Sequence, residues 1–160
     1  MLSIDDLIFH KWWLRMTNYP KDTHVHLDQL EFMTENQGLN IDKPNIEGFS
    51  IAELILYELD HPLSETHRLN FEQVLLWVCV RITPTFKLLR TFHYVRHFHA
   101  LEEILKRYEG PIINFTGWML DVEFLEVLIG FKNVVDTLTM EKIYSKALES
   151  NYYQVLIPKY

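Results

Sequence analysis

The sequence has little cysteine and glycine and no long apolar run, and these shortages exclude several classes of protein. Its 160 residues include one cysteine and five glycines. The single cysteine, Cys79, excludes a disulfide within the chain, so we expect a reducing compartment, the cytoplasm. Asp5 and Asp6 interrupt any apolar segment at the start, so we expect no signal peptide. No segment predicts a membrane span.

Motifs of familiar enzyme chemistry are also missing. The chain has no G-x-S-x-G, no G-x-x-x-x-G-K-[ST], no G-x-G-x-x-G and no C-x-x-C. We therefore predict no cofactor and treat catalysis as an alternative hypothesis. Eight histidines keep acid–base or metal chemistry open within that alternative.

Apolar residues are abundant, at 48% of the chain, and their periodicity is that of helices. We predict a single all-α domain over residues 1–160, a compact bundle of about six to seven helices. A short extended tail, 152–157, is expected to be a strand or a segment packed on the bundle. The predicted helices cover 4–17, 23–37, the segment after Ser50, 71–82, 85–108, 116–129 and the segment after Thr139.

The longest of these helices, 85–108, is expected to lie at the centre of the bundle. Thr83 is a plausible N-cap, Pro84 suits the first helical position, and Gly110 marks the end. Two apolar stripes on this segment predict neighbours on more than one side. They are Leu88, Phe92, Val95 and His99, and Phe98, Leu101, Leu105 and Tyr108.

Other helix ends carry capping signals. Ser50 and Glu53 form a capping box, with Ser at the N-cap and Glu three residues later. Asn70, with Gln73 three residues later, predicts the start of the helix that ends near residue 82. Gly38 predicts the end of the second helix.

A basic face interrupts this acidic chain. Residues 73–101 contain no Asp or Glu, and Arg90, His93 and His97 are predicted to share one side of the central helix. Two histidines four residues apart lie one helical turn apart, a spacing that suits an anion or, as an alternative, a metal ion. We predict anion binding here, and a His/Arg enzyme site is the alternative function.

Negative charge is concentrated in the first 67 residues. They hold 12 acidic and four basic residues, for a net charge of −8, whereas the remainder is at +1. Either these acids neutralise the basic helix within the chain, or they form a surface for a basic partner protein. The predicted partner-binding residues are Glu31, Glu35, Glu53, Glu58, Trp12 and Trp13. Nucleic acid is not expected as a ligand, because phosphate binding needs a basic face.

The main functional hypothesis is a protein-binding module. A small, acidic, aromatic-rich helical chain without a catalytic motif is of the same general type as intracellular inhibitors and toxin-neutralising immunity proteins. Besides the enzyme alternative, a homo-oligomeric subunit is the third class. The first helix and segment 71–82 carry more apolar surface than a monomer of this size easily buries.

Overall fold

The computed structural model is all-helical over the residues it describes, 4–109, 122–131, 140, 141 and 145, as predicted. The helices are α1 (Ile4–Asn18), α2 (Thr23–Asn36), α3 (Ile51–Leu59), α4 (Glu65–Cys79), α5 (Phe86–Val95), α6 (Leu101–Arg107) and α7 (Val122–Ile129). Within these ranges, no helix has the length and apolarity required to cross a membrane. The start of the predicted helix 116–129 and the tail 152–157 lie outside the described residues.

The chain divides into two compact units, Met1–Thr83 and Pro84–Tyr160. The expectation of a single domain over 1–160 therefore stays a prediction. Each unit has its own buried apolar residues. Those of the first include Met16, Leu30, Ile55, Leu56, Phe71 and Leu75, and those of the second include Leu88, Leu89, Phe92, Leu101, Ile104 and Phe124. Cys79 is buried in the first unit, as its apolar surroundings predict.

In the first unit, α3 packs against α4, α4 against α2, and α2 against α1. The buried side chain of Asn70 bonds to two of these helices. The amide Nδ2 of Asn70 in α4 donates to the Met16 carbonyl oxygen of α1 at 3.2 Å. Its Oδ1 accepts from the Thr23 hydroxyl of α2 at 2.7 Å. Asn70 thus joins the C-terminal end of α1 and the N-terminal end of α2 to one point on α4.

Two capping predictions are confirmed. The side chain of Ser50 accepts from the Glu53 backbone N–H, and the Glu53 carboxylate accepts from the Ser50 N–H. Gly38 follows α2 with φ +70, in the left-handed region that favours glycine. A loop of residues 37–50 then leads to α3.

The predicted N-cap Asn70 is wrong. α4 begins five residues earlier, at Glu65, and Ser64 caps it by accepting from the His67 backbone N–H. Asn70 lies inside the helix and is buried. Its side chain bonds to other helices, so a residue of strong capping tendency serves instead as a tertiary contact.

The continuous helix 85–108 is also wrong. Thr85, rather than Thr83, caps α5 by accepting from the Leu88 N–H. α5 ends at Val95 because Arg96 adopts a left-handed conformation, φ 54 and ψ 40. The chain resumes as α6 at Leu101. The two predicted apolar stripes therefore belong to two helices, which contact each other.

Candidate functional site

A surface groove of about 370 Å³ lies between α1, α3 and the loop that precedes α3. We call it the acidic groove. It is lined by Asp6, Phe9, His10 and Trp13 of α1, Asn45, Ile46 and Glu47 of the loop, and Leu54 and Glu58 of α3. The three carboxylates come from three different segments of the chain, so only the fold brings them to one concave surface.

The α1 wall of this groove follows from helical periodicity. Asp6, Phe9, His10 and Trp13 recur every three or four residues and therefore share one side of the helix. The ring centroids of Phe9 and Trp13 lie 5.9 Å apart, and that of Trp13 lies 6.1 Å from Phe71 of α4. These contacts hold the half-buried Trp13 ring in a fixed place, where its face is suited to cationic side chains.

The loop wall is fixed by one asparagine. Oδ1 of Asn45 accepts from the backbone N–H groups of Glu47 and Phe49, both at 3.0 Å. The Asn45 N–H in turn donates to the Phe49 carbonyl oxygen at 2.9 Å. This closed turn presents Glu47 and Ile46, whose side chain is 76% exposed. An exposed aliphatic side chain beside a carboxylate suits a partner with both apolar and basic groups.

A smaller pocket continues from the acidic groove beneath the same loop. It has a volume of about 40 Å³ and shares Asp6, Phe9, Asn45 and Leu54 with the groove. Apolar residues of the loop and of α3, among them Ile41 and Phe49, form much of its lining. The acidic groove therefore adjoins a small, largely apolar pocket whose lining also includes Asp6 and Lys43.

The structure brings two of the predicted partner-binding residues together. Trp13 and Glu58 both line the acidic groove. Glu31 and Glu35 are exposed on α2 and do not line it. They lie four residues apart, on one side of that helix, and neither forms an ion pair within the described residues. Their role in binding stays a prediction.

Trp12 and Glu53 are buried rather than exposed, so their role in partner binding stays a prediction. Trp12 is 3% exposed, and its indole N–H donates to the His26 carbonyl oxygen at 2.9 Å. Glu53 is 4% exposed and completes the capping box of α3. The sequence pattern marked both as surface candidates, but their hydrogen-bonding groups are used inside the fold.

The predicted anion-binding residues do not form one helical face. Arg90 is exposed on α5, and His93 packs edge-on against Phe124, with ring centroids 5.1 Å apart. His97 lies beyond the left-handed Arg96, so it is not one helical turn from His93. Its ring lies 6.1 Å from that of His99. Anion binding by Arg90, His93 and His97 stays a prediction, without the helical geometry that suggested it.

Seven of the nine residues that line the acidic groove were not predicted to bind a partner, among them Asp6, Phe9 and Glu47. The spacing of Asp6 and Phe9 relative to Trp13 was a usable signal, because it places all three on one side of α1. Glu47 gave no comparable signal, since its position depends on the turn made by Asn45. Where side chains are described, no three His, Cys, Asp or Glu residues group closely enough to hold a metal ion.

Comparison of the chain with protein-family models, curated proteins and solved structures gives no match.

Proposed function

We propose that this chain is a protein-binding module, a small acidic inhibitor of the immunity type that binds a basic partner protein. The acidic groove is the observation that supports this function. It combines three carboxylates with the aromatic rings of Phe9 and Trp13 in one concavity. A Lys or Arg side chain entering it meets negative charge at the rim and an aromatic surface inside.

The overall charge supports the same function. The chain is at −7, and the first 67 residues carry the whole excess of negative charge. A field of this sign accelerates the encounter with a basic protein, such as a nuclease-like protein whose own active site is positive. The carboxylates select the partner by charge, and the apolar lining supplies the area that excludes water.

The test compares two double variants with the same change of charge. Glu47→Lys with Glu58→Lys alters the acidic groove, and Glu31→Lys with Glu35→Lys alters α2. Each immobilised protein is exposed to lysate of the natural host, and the bound basic proteins are quantified by mass spectrometry. The binding rate of the major one is then measured.

We expect the groove variant to lose the basic partner, with an association rate reduced by about tenfold or more at low salt. The α2 variant is expected to retain most of the binding. Loss of binding in the α2 variant alone would place the partner on α2 and refute the groove. Retention by both variants, or the absence of any basic partner, would refute the proposed function.

A further inference from the structure

A second groove lies on the other side of α1, between α1 and α2, and it has a different distribution of charge. Its volume is about 520 Å³, and we call it the hairpin groove. Ile8, Val25 and Phe32 contribute apolar surface to it. Phe32 is 55% exposed, which is unusual for a large aromatic side chain in a helix. The hairpin groove is therefore an apolar surface left open to solvent.

The apolar surface continues beyond the groove along α1. Leu7 and Leu14 are 54% and 46% exposed, and they lie seven residues apart on one side of the helix. Lys11 lies between them and lines the groove. Exposed leucines next to the groove-lining Lys11 add apolar surface of the kind that marks an interaction surface.

The two walls of the hairpin groove carry opposite charges. Lys11 and Arg15 line it from α1, and Asp28 lines it from α2. None of the three forms an ion pair within the described residues, and all are exposed. Their charges are available to a partner that places an acidic group opposite Lys11 and Arg15 and a basic group opposite Asp28.

We propose that this partner is a second copy of the chain, bound hairpin groove to hairpin groove about a two-fold axis. A link of four residues joins α1 to α2, so these contacting helices are antiparallel. A two-fold axis parallel to them places α1 of each copy over α2 of the other. Rotation about this axis does not change the position of a residue along the helices. Groups at the same level on α1 and α2 of one copy therefore also face each other between the two copies.

This symmetry makes the hairpin groove self-complementary. Lys11 and Arg15 of one copy lie opposite Asp28 of the other, and the same contacts occur a second time by symmetry. The exposed Phe32 of each copy is covered by the apolar side of the opposite α1. The alternative two-fold axis, across the helices, would place Lys11 and Arg15 of both copies together, so repulsion disfavours it.

The size of the face predicts a weak dimer. Helices of this length are about 22 Å long, and two of them side by side are about 20 Å across. The resulting interface of about 900 Å² in total is at the low end for specific association, so the dissociation constant is expected in the micromolar range. The proposal does not depend on the acidic groove, which uses a different part of α1.

The test is sedimentation velocity of the intact protein over about 5 to 500 µM, a range that brackets micromolar dissociation constants. We expect the mass to rise from 19.2 kDa toward twice that value. Asp28→Lys and Lys11→Asp should each raise the dissociation constant by about tenfold, since each change affects two symmetric contacts. The double variant, Lys11→Asp with Asp28→Lys, should restore the association.

Phe32→Asp should abolish the dimer, whereas Leu69→Asp, at an exposed position of α4 outside the groove, should not. Circular dichroism verifies that each variant folds. If Phe32→Asp does not fold, the exchange of the two exposed charges, at Lys11 and Asp28, still tests the dimer. A monomeric wild type at the highest concentration would overturn the proposal. A dimer that both single charge reversals leave intact, or that the double variant fails to restore, would also overturn it.

Discussion

The indole N–H of Trp12 in α1 donates to the carbonyl oxygen of His26 in α2 at 2.9 Å, and both residues are buried. The imidazole Nε2 of His26 lies 2.7 Å from the carbonyl oxygen of Tyr19, in the link between the two helices. The carbonyl can only accept, so Nε2 carries the hydrogen and donates it. Two hydrogen bonds thus fix the α1–α2 hairpin, on which the proposed dimer depends.

Trp12→Phe is expected to lower the free energy of unfolding by about 2 kcal/mol. The substitution removes a buried hydrogen bond and leaves unfilled volume beside α2. The measurement is urea unfolding followed by circular dichroism. Trp13→Phe is the matched control, because Trp13 is half-buried and its indole has no hydrogen bond within the described residues. An equal loss in both variants would show that the Trp12 hydrogen bond contributes nothing of its own.

Asn70→Ala is expected to lower the free energy of unfolding by about 2 to 3 kcal/mol. The change removes the nearer acceptor of the Thr23 hydroxyl, at 2.7 Å, and the donor to the Met16 carbonyl oxygen. Thr23→Ala alone should have a smaller effect, because it removes only one of these bonds. A double-mutant cycle between the two measures their coupling, expected at about 1 kcal/mol. A coupling of zero would contradict the assigned hydrogen bond.

Arg96→Gly is expected to raise the free energy of unfolding by about 0.5 to 1 kcal/mol. Arg96 has φ 54, where a side chain is unfavourable, and glycine relieves this strain by more than it adds to the entropy of the unfolded chain. Arg90→Gly, on the exposed side of α5, is the control and should destabilise by about 1 kcal/mol. The thermal unfolding midpoint distinguishes the two. A loss of stability in both variants would indicate that residue 96 is helical in solution.

These residues show which structural features local sequence patterns predict and which they do not. The capping box at Ser50 and Glu53 is local, because its bonds join residues three apart, and it was predicted correctly. Asn70 has the same local tendency, yet its amide is used by two other helices. The break at Arg96 has no sequence signal either, since no glycine or proline stands there and the apolar pattern continues through it.

The candidate site also combines features that the sequence predicted with features that it did not predict. Periodicity placed Trp13 on α1, and charge counting indicated an acidic N-terminal region that includes Glu58. Neither pattern distinguished exposed residues from buried ones, so the buried Trp12 and Glu53 were grouped with exposed residues. Burial depends on which neighbouring helix covers each side, and this requires contacts between residues that are distant in sequence.

The amino-acid sequence by itself determined the all-helical class, the ends of α1 and α2 within a residue or two, and the concentration of negative charge before residue 68. These properties follow from local backbone preference, periodicity and simple counting. Tertiary structure alone decided that Asp6, Glu47 and Glu58 share one groove, and that Lys11 and Asp28 line opposite walls of another. Such arrangements depend on how helices pack, and packing is set by the sum of many weak contacts across the chain.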